Sequence, residues 1–187
     1  MKFLPAAAAL AALSISAAQA GPQVQQIIYN VDATSLCSRA ANNQADFQDG
    51  LAACNTALSD PAMNHRAALL LDRGVIQVRL GNNEAALKDY SGAIALDAKL
   101  GDAYISRAGV LVDLKRYDEA RADISQGLAL GASNLHVAYY TSGLIAEETG
   151  DLKSAFQDYQ QSLALKPGFA PASRELARFK LVTRHRG

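Results

Sequence analysis

Residues 81–96 read GNNEAALKDYSGAIAL, and this arrangement of small, aromatic and aliphatic residues recurs twice further along the chain. When Ala86 is aligned with Ala120 and Ala155, the surrounding positions fall into one register. The matched sets, twelve residues before and then four, seven and ten residues after the alanines, are Gly74, Ala108 and Gly143; Tyr90, Ile124 and Tyr159; Ala93, Gly127 and Ser162; Leu96, Leu130 and Leu165. The units repeat at intervals of 34 and 35 residues, a period that predicts helix-turn-helix repeats stacked into a solenoid.

This pattern resembles the tetratricopeptide repeat family, in which a small residue in a first helix is followed by a glycine-containing turn, and then by Ala, an aromatic residue and Ala in a second helix. The turn glycine is present as Gly81 and Gly150, whereas the middle unit has Lys115, and the closing proline survives only as Pro167. The resemblance covers residues 32–184. It implies an all-α, right-handed superhelical solenoid of about four helix pairs with a C-terminal capping helix.

The expected boundaries place four units one after another. The units are 31–64, 67–100, 101–134 and 136–169, followed by the capping helix 170–184 and a basic tail at 185–187. The first unit matches the pattern least well, and its polar residues Asn42, Asn43 and Gln44 are typical of a terminal repeat that faces water on one side. No unit can bury its apolar face alone, so we expect neighbours to stack.

The first twenty residues predict a secretory signal peptide. A basic start at 1–2 is followed by an Ala- and Leu-rich run at 3–13 and by a small-x-small cleavage site at 18–20. The apolar run is too short for a membrane-spanning helix. We therefore expect cleavage after Ala20 and a soluble product in a bacterial periplasm or an equivalent space; an Ala-rich terminus retained in the cytoplasm is the alternative.

The mature chain would be close to neutral. Removing Lys2 leaves 17 of the 18 basic residues against 18 acidic residues, a formal net charge of −1. This balance gives no reason to expect a nucleic-acid partner. The segment 21–31 then begins polar and continues with apolar residues that include Ile27, Ile28 and Tyr29. A loose lead-in and a short segment packed against the first unit both remain open for it.

Both cysteines belong to the first unit. Cys37 falls in its first helix and Cys54, 17 residues later, in its second, and in the repeat register both point between the two helices. A facing pair in an exported chain favours a disulfide, and closing this loop is worth about 3 kcal/mol by loop-closure entropy. A redox-active pair is the alternative, although Cys-x-x-Cys spacing is absent. His65, His136 and His185 are too scattered to predict a metal site.

Two units place an arginine before the small residue and an aspartate 16 residues later. These are Arg73 with Asp89 and Arg107 with Asp123. The repeat geometry brings such positions together, so we predict two inter-helix ion pairs with a structural, not a catalytic, role. Each partly shielded pair contributes about 1 kcal/mol.

The third clear unit breaks this pattern of ion pairs. It has Ser142 in place of the arginine but keeps Asp158. Asp158 therefore needs another cation or remains solvated, and we expect Arg174 to supply the charge.

The last helix predicts a cover for the open end of the stack. Its apolar stripe consists of Leu176, Phe179, Leu181 and Val182. Arg174, Arg178, Lys180 and the tail at 184–186 make this end of the chain basic. A surface for anionic lipid headgroups is one interpretation, and a solvated cap with a frayed basic end is the other.

Motifs of catalysis are missing from the sequence. It has no Gly-rich phosphate loop, no His-Glu-x-x-His pair, no Gly-x-Ser-x-Gly elbow and no Cys-x-x-Cys. The acidic pairs at 118–119 and 147–148 are explained as solvated helix ends. We therefore predict that the protein is not an enzyme and uses no cofactor and no metal.

The resemblance implies that the first helix of each unit builds a concave inner wall. Helical spacing predicts that the wall is lined by Leu71, Val75, Val78, Ile105, Gly109, Val112, Tyr140, Leu144 and Glu147. This is a mostly apolar groove with Tyr140 as the candidate anchor, and peptides dock in grooves of this kind. Some members of the family hold a peptide carboxylate through Lys, Arg and Asn on this wall, but Leu71, Val75, Ile105 and Gly109 occupy those positions here.

The predicted function is a non-catalytic protein–protein interaction module, a scaffold of the cell envelope that binds a protein segment in the apolar groove. Two other occupants of the groove remain open, namely the chain's own segment 21–31 and a second copy of the chain. The alternative function is a structural, envelope-associated or self-associating subunit that acts through its basic C-terminal helix.

Overall fold

The computed structural model describes residues 33–184, with side chains through residue 179. The predicted signal peptide, the lead-in segment 21–31 and the tail 185–187 lie outside these residues. Within them, the chain forms helices and no strand. The helices are α1 at residues 33–41, α2 at Phe47–Ser59, α3 at Arg66–Arg79, α4 at Asn83–Leu96, α5 at Gly101–Asp113, α6 at Tyr117–Ala129, α7 at Leu135–Glu148, α8 at Leu152–Leu165 and α9 at Ala170–Arg184.

These helices pack as sequential pairs. The most extensive contacts are those of α3 with α4, α5 with α6 and α7 with α8, and the second helix of each pair also contacts the helix that follows it. A shared buried cluster and a disulfide join α1 to α2. Helices α3 and α7 each begin one residue before the units 67–100 and 136–169 expected from the sequence, and α9 follows the last pair. The fold is therefore an all-helical solenoid.

The turn inside each pair needs one residue with a left-handed backbone. Gly81 at φ 80° and Gly150 at φ 86° provide it in two pairs, and Lys115 at φ 61° provides it in the pair between them. The next amide then bonds back to a carbonyl five residues earlier, as Arg116 N does to Leu111 O at 2.8 Å. The middle turn keeps the same geometry without glycine, at a steric cost that glycine avoids.

Small residues let the two helices of a pair approach closely. A Cβ atom added to Gly74 would lie 2.4 Å from Cε1 of Tyr90, and one added to Gly143 would lie 2.6 Å from Cε1 of Tyr159. Both tyrosines are almost completely buried. The aromatic ring therefore occupies the space that a side chain on the facing helix would need.

Buried side chains form a series of clusters along the array. One cluster joins α1, α2 and α3 around Cys37 and Cys54; the next joins α3, α4 and α5 around Tyr90. A third joins α5, α6 and α7 around Ile105, and a fourth joins α7, α8 and α9 around Tyr159. Each pair thus buries its apolar face against a neighbour, as a stacked repeat requires.

Helix α9 covers the last pair. Leu176 and Phe179 pack against the final cluster, and the ring centroid of Phe179 lies 5.8 Å from that of Phe156 and 6.1 Å from that of Tyr159. The predicted stripe residues at 181–182 lie beyond the described side chains. Over residues 33–184, none of the helices combines the length and the apolar character that crossing a bilayer requires.

Candidate peptide-binding groove

The first helices of successive pairs form one continuous wall. Besides the contacts within each pair, α3 contacts α5 and α5 contacts α7. In the described part of the chain, the contacts of α4 with α6 and of α6 with α8 are less extensive, and open clefts of about 450 and 340 Å³ lie between these second helices. We take this more closely packed row of first helices as the wall of the expected groove.

Three of the predicted groove residues lie on α3. Leu71, Val75 and Val78 are each half-buried. They pack against a buried cluster that contains Tyr90 and Val110. Val110 belongs to α5, so these side chains use part of their surface for the contact between neighbouring first helices and leave the rest exposed.

Ile105 and Val112 do not line the groove, contrary to the prediction. Ile105 has no exposed surface and Val112 is 8% exposed. A Cβ atom on Gly127 would lie 2.5 Å from Cδ1 of Ile105, so the missing side chain on α6 is what lets Ile105 pack there. Val112 lies in the same buried cluster as Ile145 of α7. Both are core residues because neighbouring helices cover them.

Tyr140 is a structural residue of the C-terminal end and not a free anchor. Its ring centroid lies 5.9 Å from that of Tyr159 and 5.6 Å from that of Phe169. Tyr140 and Leu144 both pack against the cluster to which Leu176 of α9 contributes. Each keeps part of its surface exposed. The sequence predicted that α9 covers the last unit, but the prediction for the groove did not take into account that this cover reaches Tyr140 and Leu144.

Gly109 leaves an open place on the wall. Apart from the adjoining residues and backbone of α5 itself, no atom of residues 33–179 lies within 4 Å of the position that a Cβ atom would take there. The matching residues one unit before and one unit after are Val75 and Leu144, both half-buried. We call this gap between two apolar side chains the Gly109 notch. The exposed Asp113 follows one helical turn later on α5, so a carboxylate lies near the notch.

Glu147, also predicted on the wall, is engaged in a hydrogen-bond network. It accepts from the Tyr159 hydroxyl at 2.8 Å and from Nη2 of Arg178 at 2.5 Å. Arg178 also pairs with Glu175. Burial, followed by the hydrogen bond to Glu147 and its charge, raises the pKa of Tyr159 far above its ordinary value. The phenol therefore stays protonated and donates to the carboxylate.

The wall lacks the cations that would hold a peptide carboxylate. The positions in question are those of Leu71, Val75, Ile105 and Gly109, which carry no charge and no side-chain hydrogen-bond donor. A carboxylate is held firmly by charge-assisted hydrogen bonds, for which these residues have no donor. The groove is consequently suited to apolar contacts.

A disulfide joins Cys37 of α1 to Cys54 of α2. Both cysteines are completely buried, together with Ala40 and Ala57. Burial keeps the sulfur atoms away from solvent thiols, so the bond staples the first unit instead of acting in exchange chemistry. Over the described residues, no group of three or more His, Cys, Asp and Glu side chains is arranged to hold a metal ion.

The structure contains both expected ion pairs. Nε and Nη2 of Arg73 donate to Asp89 at 2.8 and 2.6 Å, and the same atoms of Arg107 donate to Asp123 at 2.7 and 2.8 Å. The two aspartate side chains are only 4% and 9% exposed. Paired hydrogen bonds of this kind fix the orientation of the first helix against the second.

The remaining nitrogen of each arginine reaches back to the preceding unit. Nη1 of Arg73 donates to Asn55 of α2 at 2.9 Å, and Nη1 of Arg107 donates to Ser91 of α4 at 3.2 Å. One guanidinium therefore ties three helices together, an arrangement that we call the guanidinium clamp. Asn55 and Ser91 were missed from the sequence, although both lie five residues after the aligned small residue of their unit.

In the third clear unit, Asp158 does not pair with Arg174, contrary to the prediction. The hydroxyl of Ser142 donates to Asp158 at 2.6 Å, so the residue that replaces the arginine reaches the carboxylate directly. Among the described side chains, Asp158 has no ion pair. Burial raises the pKa of Asp158, and the hydrogen bond from Ser142 offsets this only in part.

Sequence comparison finds relatives that are built from similar repeats. The family model described as tetratricopeptide repeat matches residues 136–169. Human tetratricopeptide repeat protein 6 is 29% identical over 102 residues, which are 54% of this chain and 18% of that protein. Xenopus laevis tetratricopeptide repeat protein 37 is 28% identical over 119 residues, which are 60% of this chain and 7% of that protein. The chain therefore spans less than a fifth of the length of these curated relatives.

Similar folds occur among solved structures. The second tetratricopeptide repeat domain of human RPAP3, in complex with the HSP70 peptide SGPTIEEVD, is 30% identical, with 62% of this chain and 95% of that chain covered and a TM-score of 0.52. PilW, a type IV pilus biogenesis factor, is 25% identical, with 83% and 70% covered and a TM-score of 0.69. MamA, at 20% identity, 79% of both chains and a TM-score of 0.60, shares the fold.

Proposed function

Because this chain belongs to the tetratricopeptide repeat family, we propose that it is a non-catalytic protein–protein interaction module that binds a protein segment along the wall formed by α3, α5 and α7. The observation that carries the proposal is the Gly109 notch. In the repeat register it lies between Val75 and Leu144, and the surroundings of a Cβ position on Gly109 are open in the described chain. Apolar clefts between helices are common sites for the side chains of bound peptides.

The proposed partner segment places an apolar side chain in the notch. Val75 and Leu144 offer apolar surface on either side of it. The RPAP3 domain named above was solved with a bound peptide, which supports a peptide as the class of ligand. Because this wall lacks cations at the carboxylate-holding positions, an internal apolar segment fits it better than a free acidic C-terminus.

Gly109→Leu tests this proposal by filling the notch. We expect the substitution to weaken binding of the partner by roughly tenfold or more, since the leucine occupies the space meant for the partner side chain. The partner is first identified by cross-linking from a photoreactive residue at position 75 in intact cells, and its affinity is then measured with purified proteins. The fold should persist, because no atom obstructs a side chain at this position.

Two matched variants serve as controls for this substitution. Gly109→Ala improves the helix but leaves most of the notch open, so binding should change little. Gln126→Leu places the same apolar side chain at an exposed site on α6, outside the wall. If Gly109→Leu binds the partner as tightly as these controls do, the groove is not the binding site. Tyr140→Ala is unsuited to the purpose because it removes a core aromatic ring.

We further propose that the module works in the periplasm or an equivalent exported space, as a scaffold of the cell envelope. The predicted signal peptide at 1–20 supports this location, and so does the disulfide, since such bonds persist in oxidising compartments. Mass spectrometry of the protein from a periplasmic fraction should find a chain that begins at Gly21 with Cys37 linked to Cys54. Recovery from the cytoplasm alone, with residues 1–20 retained, would contradict export.

The alternative of an envelope subunit that acts through its basic C-terminal helix has weaker support. Within the described side chains, Arg178 already pairs with Glu147 and Glu175. These carboxylates neutralise part of the charge that an anionic surface would attract. The tail at 185–187, on which this alternative also depends, lies outside the described residues.

A further inference from the structure

The clefts between the second helices are equivalent positions of the repeat. The cleft between α4 and α6, of about 450 Å³, contains Arg107 and Asp123 in its lining. The cleft between α6 and α8, of about 340 Å³, contains Ser142 and Asp158 in its lining. Ser142 and Asp158 stand 35 residues after Arg107 and Asp123, so the second cleft repeats the first with the arginine removed.

The two clefts differ in how their carboxylates are neutralised. Arg107 donates two hydrogen bonds to Asp123 and forms an ion pair with it. Ser142 donates one hydrogen bond to Asp158 and carries no positive charge. Asp151 also lines the second cleft, and its negative charge adds to burial in raising the pKa of Asp158. The carboxylate thus carries a desolvation cost that no described cation offsets.

One cation, Arg121, does lie among the residues that line the second cleft. Its guanidinium donates to Asp118 at 3.2 Å and to Oγ1 of Thr149 at 3.4 Å, and it forms no ion pair with Asp158. In the repeat register Arg121 matches Leu87 and not the clamp arginines, so it approaches from α6. The hydroxyl of Ser142 reaches Oδ2 of Asp158, and none of the described side chains places a guanidinium group against this carboxylate.

We propose that the cleft between α6 and α8 binds the guanidinium group of an arginine side chain on a partner protein. The neighbouring units show what this position accepts, because Arg73 and Arg107 each bind the matching carboxylate through Nε and Nη2. The third contact of each arginine is to the second helix of the preceding unit, at Asn55 or Ser91. The exposed Ser125 takes the matching position in α6. An incoming guanidinium would therefore meet Asp158 and Ser125 in the arrangement of the guanidinium clamp.

The chemistry of the cleft selects among cations. Two parallel hydrogen bonds to one carboxylate require a planar guanidinium, so arginine fits better than lysine. Free arginine fits less well than arginine within a polypeptide, because its own carboxylate would approach Asp151 and Asp158. The cleft lies between second helices, away from the wall that holds the Gly109 notch, so this site stands or falls independently of the groove.

The test uses N-acetyl-arginine methylamide as a probe of peptide-borne arginine, titrated into the isotope-labelled full-length protein and followed by NMR. We expect saturable shifts of the amide signals of Ser142 and Asp158, and weakening of the binding at high salt. The neutral isostere N-acetyl-citrulline methylamide should bind roughly tenfold or more weakly. Free L-arginine should bind more weakly than the amide probe, and equal or tighter binding would reassign the cleft to a small molecule.

Two variants separate binding from a merely structural effect. Asp158→Asn can keep the hydrogen bond from Ser142 but loses the charge, and should abolish the shifts. Ser142→Arg supplies the missing guanidinium from within, so it should abolish probe binding while raising the melting temperature by roughly 2–4 °C. Gly109→Leu should leave probe binding unchanged. Absence of saturable shifts in the wild-type protein, or shifts that survive both cleft variants, would overturn the proposal.

Discussion

At the scale of single residues, a larger side chain on the first helix of a unit is matched by a smaller side chain on the second, which keeps the two helices at a similar spacing in each unit. Because Gly74 has no side chain, the ring of Tyr90 can lie directly against α3. In the next unit the same two positions hold Ala108 and Ile124, a larger residue on the first helix and a smaller one on the second. The combined volume changes little, which protein interiors require because they are close-packed.

Lys115→Gly should stabilise the protein at the middle turn. Lys115 has φ 61°, where a Cβ atom is strained and glycine is not. The greater flexibility of glycine in the unfolded chain takes back part of the gain, so we expect the free energy of unfolding to rise by about 1 kcal/mol. Urea denaturation of both proteins measures the difference. Lys115→Ala removes the charge but keeps Cβ and should change little; a glycine variant no more stable than this control would contradict the strain.

At the scale of elements, the guanidinium clamp decides how a first helix sits between two second helices. Arg107 reaches Asp123 on α6 and Ser91 on α4 at once. Because Asp123 is nearly buried, loss of the arginine leaves a carboxylate without its cation. The unit with Ser142 tolerates this situation at Asp158 because that carboxylate is less buried than Asp123 and accepts a hydrogen bond from Ser142.

Tyr90 makes the packing of α3 against α4 sensitive to alkaline pH. Burial, and then the charge of Asp89, raises the pKa of Tyr90 above its ordinary value. Since the folded-state pKa lies above the unfolded value of about 10, the stabilising contribution is complete below that pH and is lost as the pH rises past it. We expect Tyr90→Phe to lose less stability than the wild-type protein between about pH 9 and about pH 11 in urea denaturation. Equal losses would contradict a pKa of Tyr90 that is higher in the folded than in the unfolded protein.

The repeat period was sufficient to predict the helix pairs, and the register also placed the disulfide and the ion pairs of Arg73 and Arg107. It failed where the burial of a residue depends on the size of a side chain on the facing helix or on how a later helix packs. Ile105 is buried because Gly127 has no side chain, and Tyr140 is partly covered because α9 packs on it. Helical spacing identifies the face on which a residue lies, but not whether a neighbouring helix also covers that face.

At the scale of the whole molecule, stability is built up from contacts between adjacent units, and the end units have fewer neighbours. The first unit is the poorest match to the repeat pattern, and it contains the Cys37–Cys54 bond. At the other end, α9 closes the stack through Leu176 and Phe179. The two ends are thus secured by different means, one covalent and one by apolar packing.

Replacing both Cys37 and Cys54 by alanine should loosen the first unit before the rest. Loss of the cross-link costs about 3 kcal/mol by loop-closure entropy. Because contacts in a solenoid are confined to neighbours, hydrogen exchange should accelerate in α1 and α2 while the amides of α5 to α8 keep their protection. Reduction of the wild-type protein should give the same pattern. A uniform loss of protection along the chain would mean that the array unfolds as one cooperative body.

The unequal spacing of first and second helices also bears on the mechanics of the array. Its inner strip, where α3, α5 and α7 touch, resists compression, whereas its outer strip is interrupted by gaps. Bending that narrows the clefts between the second helices meets little resistance, whereas bending that compresses the packed first helices meets much more. Elastic compliance is therefore directional, and a load that draws the outer gaps together would flatten the curve with little work.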